Sequence, residues 1–286
     1  MSQSDAQKKE IIVLGQAGRI PAETANLFIG NAGTAARFLS AFLTLGQGEY
    51  ILDGDTRMRE RPIGDLVSSL TQLGANIGSI PLDGKPLNNE ICPPVKISAS
   101  GLPGGNTFIS GEISSQFLSA LLMVSPYARE PVQITVSTEL NSKPYIDMTL
   151  AVMADFGISI QRDGYQHFTI NAGLYHSLET YVIEPDASAA SYFFAAPAIL
   201  GGSIRINDIS FHAKQGDIEF VNVLKKMGCE VFETQKFIEV VGPVDNKLVG
   251  VDIDMRDIPD TAQTLAAIAP FASTPTHIHG IASARV

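Results

Sequence analysis

The sequence predicts an α/β protein of two domains, each put together from repeated helix–strand units. Three observations carry that prediction. An amphipathic helix pattern that ends in glycine and runs into a short strand recurs along the chain. A more uniformly apolar helix, opening on small polar residues and followed by a strand, also recurs. The two kinds alternate.

The amphipathic copies run over Ile63–Ile77, Tyr145–Ile160 and Asp217–Val231, with leucine-like residues at steps of three and four. Gly74, Gly157 and Gly228 stand where a helix C-terminus needs a residue tolerant of positive φ. The following strand of the second copy is expected over Ile158–Ile160. The apolar copies open near Gly33-Thr34, Ser114-Ser115, Ser188-Ala189 and Asp260-Thr261, and their strands end near Leu52, Val136, Ile206 and His279. Helices apolar on most faces belong inside a domain, whereas the first kind keeps one charged side for solvent.

A length of 286 residues, 45% of them hydrophobic and 17% charged, suits a folded protein. At roughly 100–200 residues per domain it divides into two, expected as 1–182 and 183–286, the second opening at the Asp186 segment. The richest apolar run, Tyr192–Leu200, contains Pro197 and falls short of the about 18–20 residues of a membrane helix. The first ten residues are polar and do not read as a signal peptide. Cys92 and Cys229 lack metal-ligand spacing and fit a cytoplasmic location as free thiols. Twenty basic against 30 acidic residues, a net charge of −10, count against a nucleic-acid binder. A small anion held by a few local cations is still compatible with that charge. His277 and His279 alternate on an expected strand without a third ligand, so they read as strand positions and not as a metal site. The sequence holds no phosphate-binding Gly-Lys-Ser loop, dinucleotide fingerprint or Ser-His-Asp motif.

Five segments carry candidate chemistry. Gly30-Asn-Ala-Gly-Thr-Ala-Ala-Arg-Phe38 opens an apolar helix, so its backbone N–H groups suit a phosphate or carboxylate; Asn31 or Thr34 serves equally as a plain N-cap. In Asp53-Gly-Asp-Thr-Arg-Met-Arg-Glu-Arg-Pro62 an extended backbone would aim Arg57, Arg59 and Arg61 in one direction, toward an anion or simply into solvent beside their acidic neighbours. Pro62 is expected to start the next helix just after Arg61. Ser114, Ser115 and Gln116 offer hydroxyl and amide groups at another helix start, for an oxyanion or for capping. Asn141-Ser-Lys-Pro-Tyr-Ile146 is a helix-entry turn in which Lys143 and Tyr145 can reach a ligand. Asp260, in Asp254-Met-Arg-Asp-Ile-Pro-Asp-Thr-Ala262, is placed to cap the last helix or to act as a general base, and Asp186 is placed similarly.

Together and in this order, Gly30–Arg37, Arg57–Gly64, Ser114–Gln116, Ser142–Asp147, Asp186–Tyr192, Gln215–Asp217 and Ile258–Ala262 resemble the 5-enolpyruvylshikimate-3-phosphate synthase (3-phosphoshikimate 1-carboxyvinyltransferase) family, from about Lys9 onward. The resemblance implies an inside-out α/β prism fold of βαβαββ units, and transfer of the enolpyruvyl group of phosphoenolpyruvate to the 5-hydroxyl of shikimate-3-phosphate in aromatic amino acid biosynthesis. It implies that Asn31, Gly33, Arg61 and Gln116 bind phosphoenolpyruvate, and that Thr34, Ser114, Ser115, Gln116, Ser142, Tyr145 and Asp260 bind shikimate-3-phosphate. Asp260 would also accept a proton. No metal or organic cofactor is implied, and no nucleic-acid or membrane partner; the full-length form is expected to be a monomer. Phe38 follows Arg37 where many members have proline, and Ser283 stands where asparagine is frequent.

The family's Gly-Ser-Lys-Ser and Lys-Glu-Thr-Asp-Arg segments are not among these 286 residues. The chain is therefore expected to be part of a longer enzyme, with both domains incomplete, exposed apolar surface where further units would pack, and no activity by itself. The other readings are a relative of UDP-N-acetylglucosamine 1-carboxyvinyltransferase, against which Arg57–Pro62 and Ser142–Tyr145 argue, and a non-catalytic fragment that binds shikimate-3-phosphate.

Overall fold

Two successive copies of one strand–helix–strand–helix–strand–strand pattern make up most of the first 170 residues in the computed structural model, which describes residues 2–5, 10–81, 90–112 and 114–281. They follow an antiparallel ribbon of β1 (Ser2–Asp5) and β2 (Glu10–Val13). The first copy comprises β3 (Thr24–Phe28), α1 (Gly33–Phe42), β4 (Gln47–Asp53), α2 (Gly64–Gln72), β5 (Ile77–Ser79) and β6 (Val95–Ser100). The second comprises β7 (Gly105–Ile109), α3 (Ser115–Val124), β8 (Val132–Val136), α4 (Lys143–Asp155), β9 (Gln161–Asp163) and β10 (His167–Ile170). Their sheets are ordered β3-β4-β6-β5 and β7-β8-β10-β9. In each, the first two strands are parallel across a helical crossover and the remaining pairs are antiparallel.

The chain divides into two compact units. The first comprises Met1–Gly111, Gln116–Leu140 and Val152–Glu179; the second comprises Glu112–Ser115, Asn141–Ala151 and Thr180–Val286. The second unit continues the pattern with α5 (Ala187–Leu200), β11 (Ser203–Asn207), α6 (Phe220–Lys226), β12 (Glu230–Glu233) and β13 (Phe237–Val241), whose antiparallel sheet runs β11-β13-β12. Then β14 (Asp252–Asp254), α7 (Ala262–Ile268) and β15 (His277–His279) repeat the parallel crossover that begins each earlier copy.

The glycine-terminated helices close in one way. Gly74, Gly157 and Gly228 have φ of 88°, 87° and 104°. The next residue donates back to the last helical turn in all three: Ala75 to Leu70 O, Ile158 to Met153 O and Cys229 to Leu224 O, at 2.9, 2.9 and 3.0 Å. This is the 6→1 bond of a Schellman ending, and it requires the left-handed glycine before it. The strand expected over Ile158–Ile160 instead starts at Gln161. Gln161 lies opposite Thr169 and β10 ends at Ile170, so Ile160 faces only the last residue of β10 and Ile158 and Ser159 run off its end.

Inward positions are apolar in each unit. Tyr50, Leu52, Met58, Leu66, Leu70, Ile97, Phe117 and Phe168 are fully buried in the first. Phe194, Phe220, Leu224, Ile238, Val240 and Leu265 are fully buried in the second. The short-step apolar helices do not all behave alike. Most of α3 is buried, whereas α5 turns Ala190, Phe194 and Ala198 inward and leaves Tyr192, Phe193 and Leu200 exposed. Its inward face meets α7, where Ser191 Oγ and Thr264 Oγ1 pair at 2.8 Å. Among the described residues, no helix is long and apolar enough to cross a membrane.

Candidate functional site

Within each unit the candidate residues lie at or just before helix starts, where backbone N–H groups lack intrahelical partners. In the first copy β3 and β4 finish in register at Phe28 and Asp53. The loops beyond are tied together by Ile29 N to Asp53 O (2.9 Å) and Asp55 N to Gly30 O (3.1 Å). α1 follows with Ala32 at its N-cap and no side-chain capping bond. Neither Asn31 nor Thr34 therefore takes the capping role, and the first-turn N–H groups meet no side-chain acceptor there.

The Arg-rich segment is not extended. Met58–Glu60 forms a 3-10 turn, nucleated by Asp55 Oδ1 accepting from Met58 N at 2.9 Å and by burial of the Met58 side chain. The three arginines consequently point apart. Arg57 pairs with Glu60 at 3.1 Å and Arg59 with Asp53 at 2.6 Å. Arg61, the residue before Pro62, is extended (φ −89°, ψ 117°) as a following proline favours. It donates from Nη1 to Asn31 O at 3.3 Å. The helix after it begins at Gly64, not at Pro62.

Gly33 lets two guanidiniums approach the start of α1. A Cβ built on it would fall on Arg37 Nη1 and lie 2.8 Å from both Nη atoms of Arg61. Thr34 Oγ1 accepts from Gln116 Nε2 at 3.3 Å. Asn31, Gly33, Thr34, Arg61 and Gln116 thus come together in the first unit. Arg37, which the sequence reading used only as part of a motif, joins them. It is 4% exposed, and its guanidinium lies 5.7 Å from the Phe117 ring centroid. Burial first and the neighbouring Arg61 charge second pull its pKa down to about 10. The missed signal is a single cation on the inward face of an apolar helix.

The second unit holds another cluster. Ser142 has φ 58°, a left-handed conformation uncommon for serine, and is buried, with Oγ donating to Arg256 O at 3.4 Å. Tyr145 donates its hydroxyl to both carboxylate oxygens of Asp217, each at 3.0 Å. Ser188 Oγ donates to Asp217 Oδ2 as well. Gln215 braces the start of α5, accepting from Ala187 N at 2.9 Å and donating to Pro185 O at 2.7 Å. Asp186 is the N-cap of α5 and accepts from Ala189 N at 2.8 Å. Asp260 is exposed in the turn Pro259–Thr261, one residue ahead of Thr261, which holds the N-cap position of α7. Ser114 and Ser115 lie at the start of α3 and are likewise part of this unit. Ser283 lies outside the described residues.

Asp217 is 3% exposed, and burial raises its carboxyl pKa. Hydrogen bonds from Ser188 and Tyr145 oppose the rise, while the charges of Asp260 and Asp186 add to it. Burial, then Asp217 and Asp260, push the Tyr145 phenol far above its ordinary value, so it stays a proton donor. A carboxyl whose pKa is higher folded than unfolded contributes stability in acid that is lost as pH rises through the folded value. Asp217→Asn should therefore match the parent chain in acid and melt higher than it at neutral and mildly alkaline pH. Thermal melts across pH 4 to 8 check this, and melting curves that stay parallel refute it.

Comparison with known proteins places these residues in context. The profile of the family described as EPSP synthase (3-phosphoshikimate 1-carboxyvinyltransferase) matches residues 1–286. A 3-phosphoshikimate 1-carboxyvinyltransferase from Shewanella pealeana is 49% identical over 274 residues, covering 95% of this chain and 62% of the relative. One from Nostoc punctiforme is 46% identical over 272 residues, with the same coverage of 95% and 62%. The chain thus spans less than two thirds of the length of these relatives. A 2.37 Å structure of EPSP synthase from Acinetobacter baumannii superposes with a TM-score of 0.67 at 21% identity, over 92% of this chain and 58% of that one, and this chain shares its inside-out α/β fold.

Proposed function

Because the chain belongs to the EPSP synthase family, we propose that it supplies substrate-binding elements for transfer of the enolpyruvyl group of phosphoenolpyruvate to the 5-hydroxyl of shikimate-3-phosphate. The carrying observation is the corner at Gly33, where an uncapped helix N-terminus meets the Arg61 and Arg37 guanidiniums. Phosphoenolpyruvate presents a carboxylate and a phosphate, and both suit that corner. Asn31, Gly33, Arg61 and Gln116 would hold phosphoenolpyruvate. Thr34, Ser114, Ser115, Gln116, Ser142, Tyr145 and Asp260 would hold shikimate-3-phosphate.

In the reaction the terminal enol carbon gains a proton and the 5-hydroxyl oxygen bonds to the adjacent carbon. Asp260 takes the hydroxyl proton in this scheme. The tetrahedral adduct then loses that methyl proton and inorganic phosphate, which restores the double bond. Tyr145, kept protonated, serves as a donor to a substrate oxygen once its hydroxyl turns from Asp217. Free Cys92 and buried Cys229, whose thiol burial pushes up to about 11, suit a reducing cytoplasm.

The test is phosphate release from phosphoenolpyruvate and shikimate-3-phosphate, by the chain alone and by the chain joined to the segments through which its relatives exceed it. We expect turnover only from the joined chain, and none when UDP-N-acetylglucosamine replaces shikimate-3-phosphate. A joined, folded chain that releases no phosphate would overturn the proposal.

A further inference from the structure

We propose that Arg37 is a second cation of the anion site at Gly33, buried without a carboxylate so that the ligand's phosphate or carboxylate becomes its counter-ion. The inference rests on reading that corner as the phosphoenolpyruvate site, and it adds a residue that the expected binding set does not contain. Four observations carry it. Arg37 is 96% buried by its 4% exposure, yet among the described residues it has no acidic partner. Its Nε is enclosed and makes no hydrogen bond. Its Nη1 occupies the place a Gly33 side chain would take, beside the Arg61 guanidinium and next to the uncapped N-terminus of α1. Its one aromatic contact, the Phe117 ring at 5.7 Å, offers a π-face and no countercharge.

Those facts run against what a stable interior favours. Buried charges are normally paired, and enclosed N–H groups normally find an acceptor. Two guanidiniums side by side at a helix N-terminus add repulsion, and Arg61 accordingly disfavours the charge on Arg37. All three costs fall together when a dianion enters the corner. The ligand then gains from a positive field prepared before it arrives.

The measurement is a set of thermal melts of the full chain in rising sodium phosphate, with sodium chloride at matched ionic strength to remove general screening. The parent chain should gain melting temperature from phosphate beyond the chloride control. Arg37→Met keeps the length of the side chain without its charge. It should melt no lower than the parent in chloride and should bind phosphate about tenfold or more weaker, the loss of one charge-assisted contact. Arg37→Lys, which keeps the charge, should recover part of the phosphate response. An Arg37→Met chain that melts lower in chloride or fails to fold would make Arg37 a structural residue and overturn the inference. So would an undiminished phosphate response, or a parent chain that phosphate does not stabilise. In the joined chain, turnover by Arg37→Met with an unchanged KM for phosphoenolpyruvate would overturn the inference and leave the proposed reaction standing.

Discussion

Replacing Asp260 by alanine in the joined chain is expected to lower kcat about 10³-fold, within the range for removing a positioned general base, while KM for phosphoenolpyruvate stays close to that of the parent. The separation follows from where the groups sit. Asp260 is an exposed carboxylate in a turn of the second unit, whereas Asn31, Gly33 and Arg61 belong to the first. The substitution should not unfold the chain, because the N-cap of α7 is Thr261 and its hydroxyl bonds to Ile258 O at 2.9 Å without help from Asp260. It does change the electrostatics nearby, since Asp260 is one of the charges that raise the pKa of both Asp217 and Tyr145. Asp260→Asn keeps the shape and also lacks the base, so it should lose kcat to a similar extent. Steady-state kinetics decide the matter: a kcat within a few-fold of the parent in either variant removes Asp260 from the proton-transfer step.

The parts of this architecture that were legible in the sequence are those set by neighbours along the chain. Gly74, Gly157 and Gly228 announce helix ends because the left-handed turn and its 6→1 bond involve only the last helical residues. Asp186 announces a cap for the same reason. The order in which β6 inserts between β4 and β5, or β10 between β8 and β9, depends on pairings distant in sequence, and no local pattern specifies it. The Arg57–Arg61 segment shows how a local rule fails. Alternation describes an extended backbone, but Asp55 and the buried Met58 fold it into a turn, and two of the three cations are spent on Glu60 and Asp53. Asp217 and Arg37 went unassigned for a different reason. Each is defined by what surrounds it in space: Tyr145 and Ser188 for one, Phe117 and Arg61 for the other.

Gly33→Ala carries the second large effect, and it falls on binding and not on the fold. The new methyl would occupy the position of Arg37 Nη1 and crowd both Nη atoms of Arg61. These are the ends of flexible side chains, so the guanidiniums can swing aside, and the backbone need not move. Gly33 is also the first residue of α1, where alanine is a better helix former by up to about 1 kcal/mol. The melting temperature should therefore stay near that of the parent or rise slightly. The cation pair itself is lost, because the methyl takes the place of Arg37 Nη1 and the displaced guanidiniums no longer converge beside the helix N-terminus. With the ligand charge deprived of two or more charge-assisted contacts, affinity for phosphate should fall about 10²-fold. Isothermal titration with phosphate, beside melts in chloride, distinguishes this from misfolding. A Gly33→Ala chain that binds phosphate as tightly as the parent would show that the anion does not sit against Gly33, and it would take Arg61 and Arg37 out of the site together.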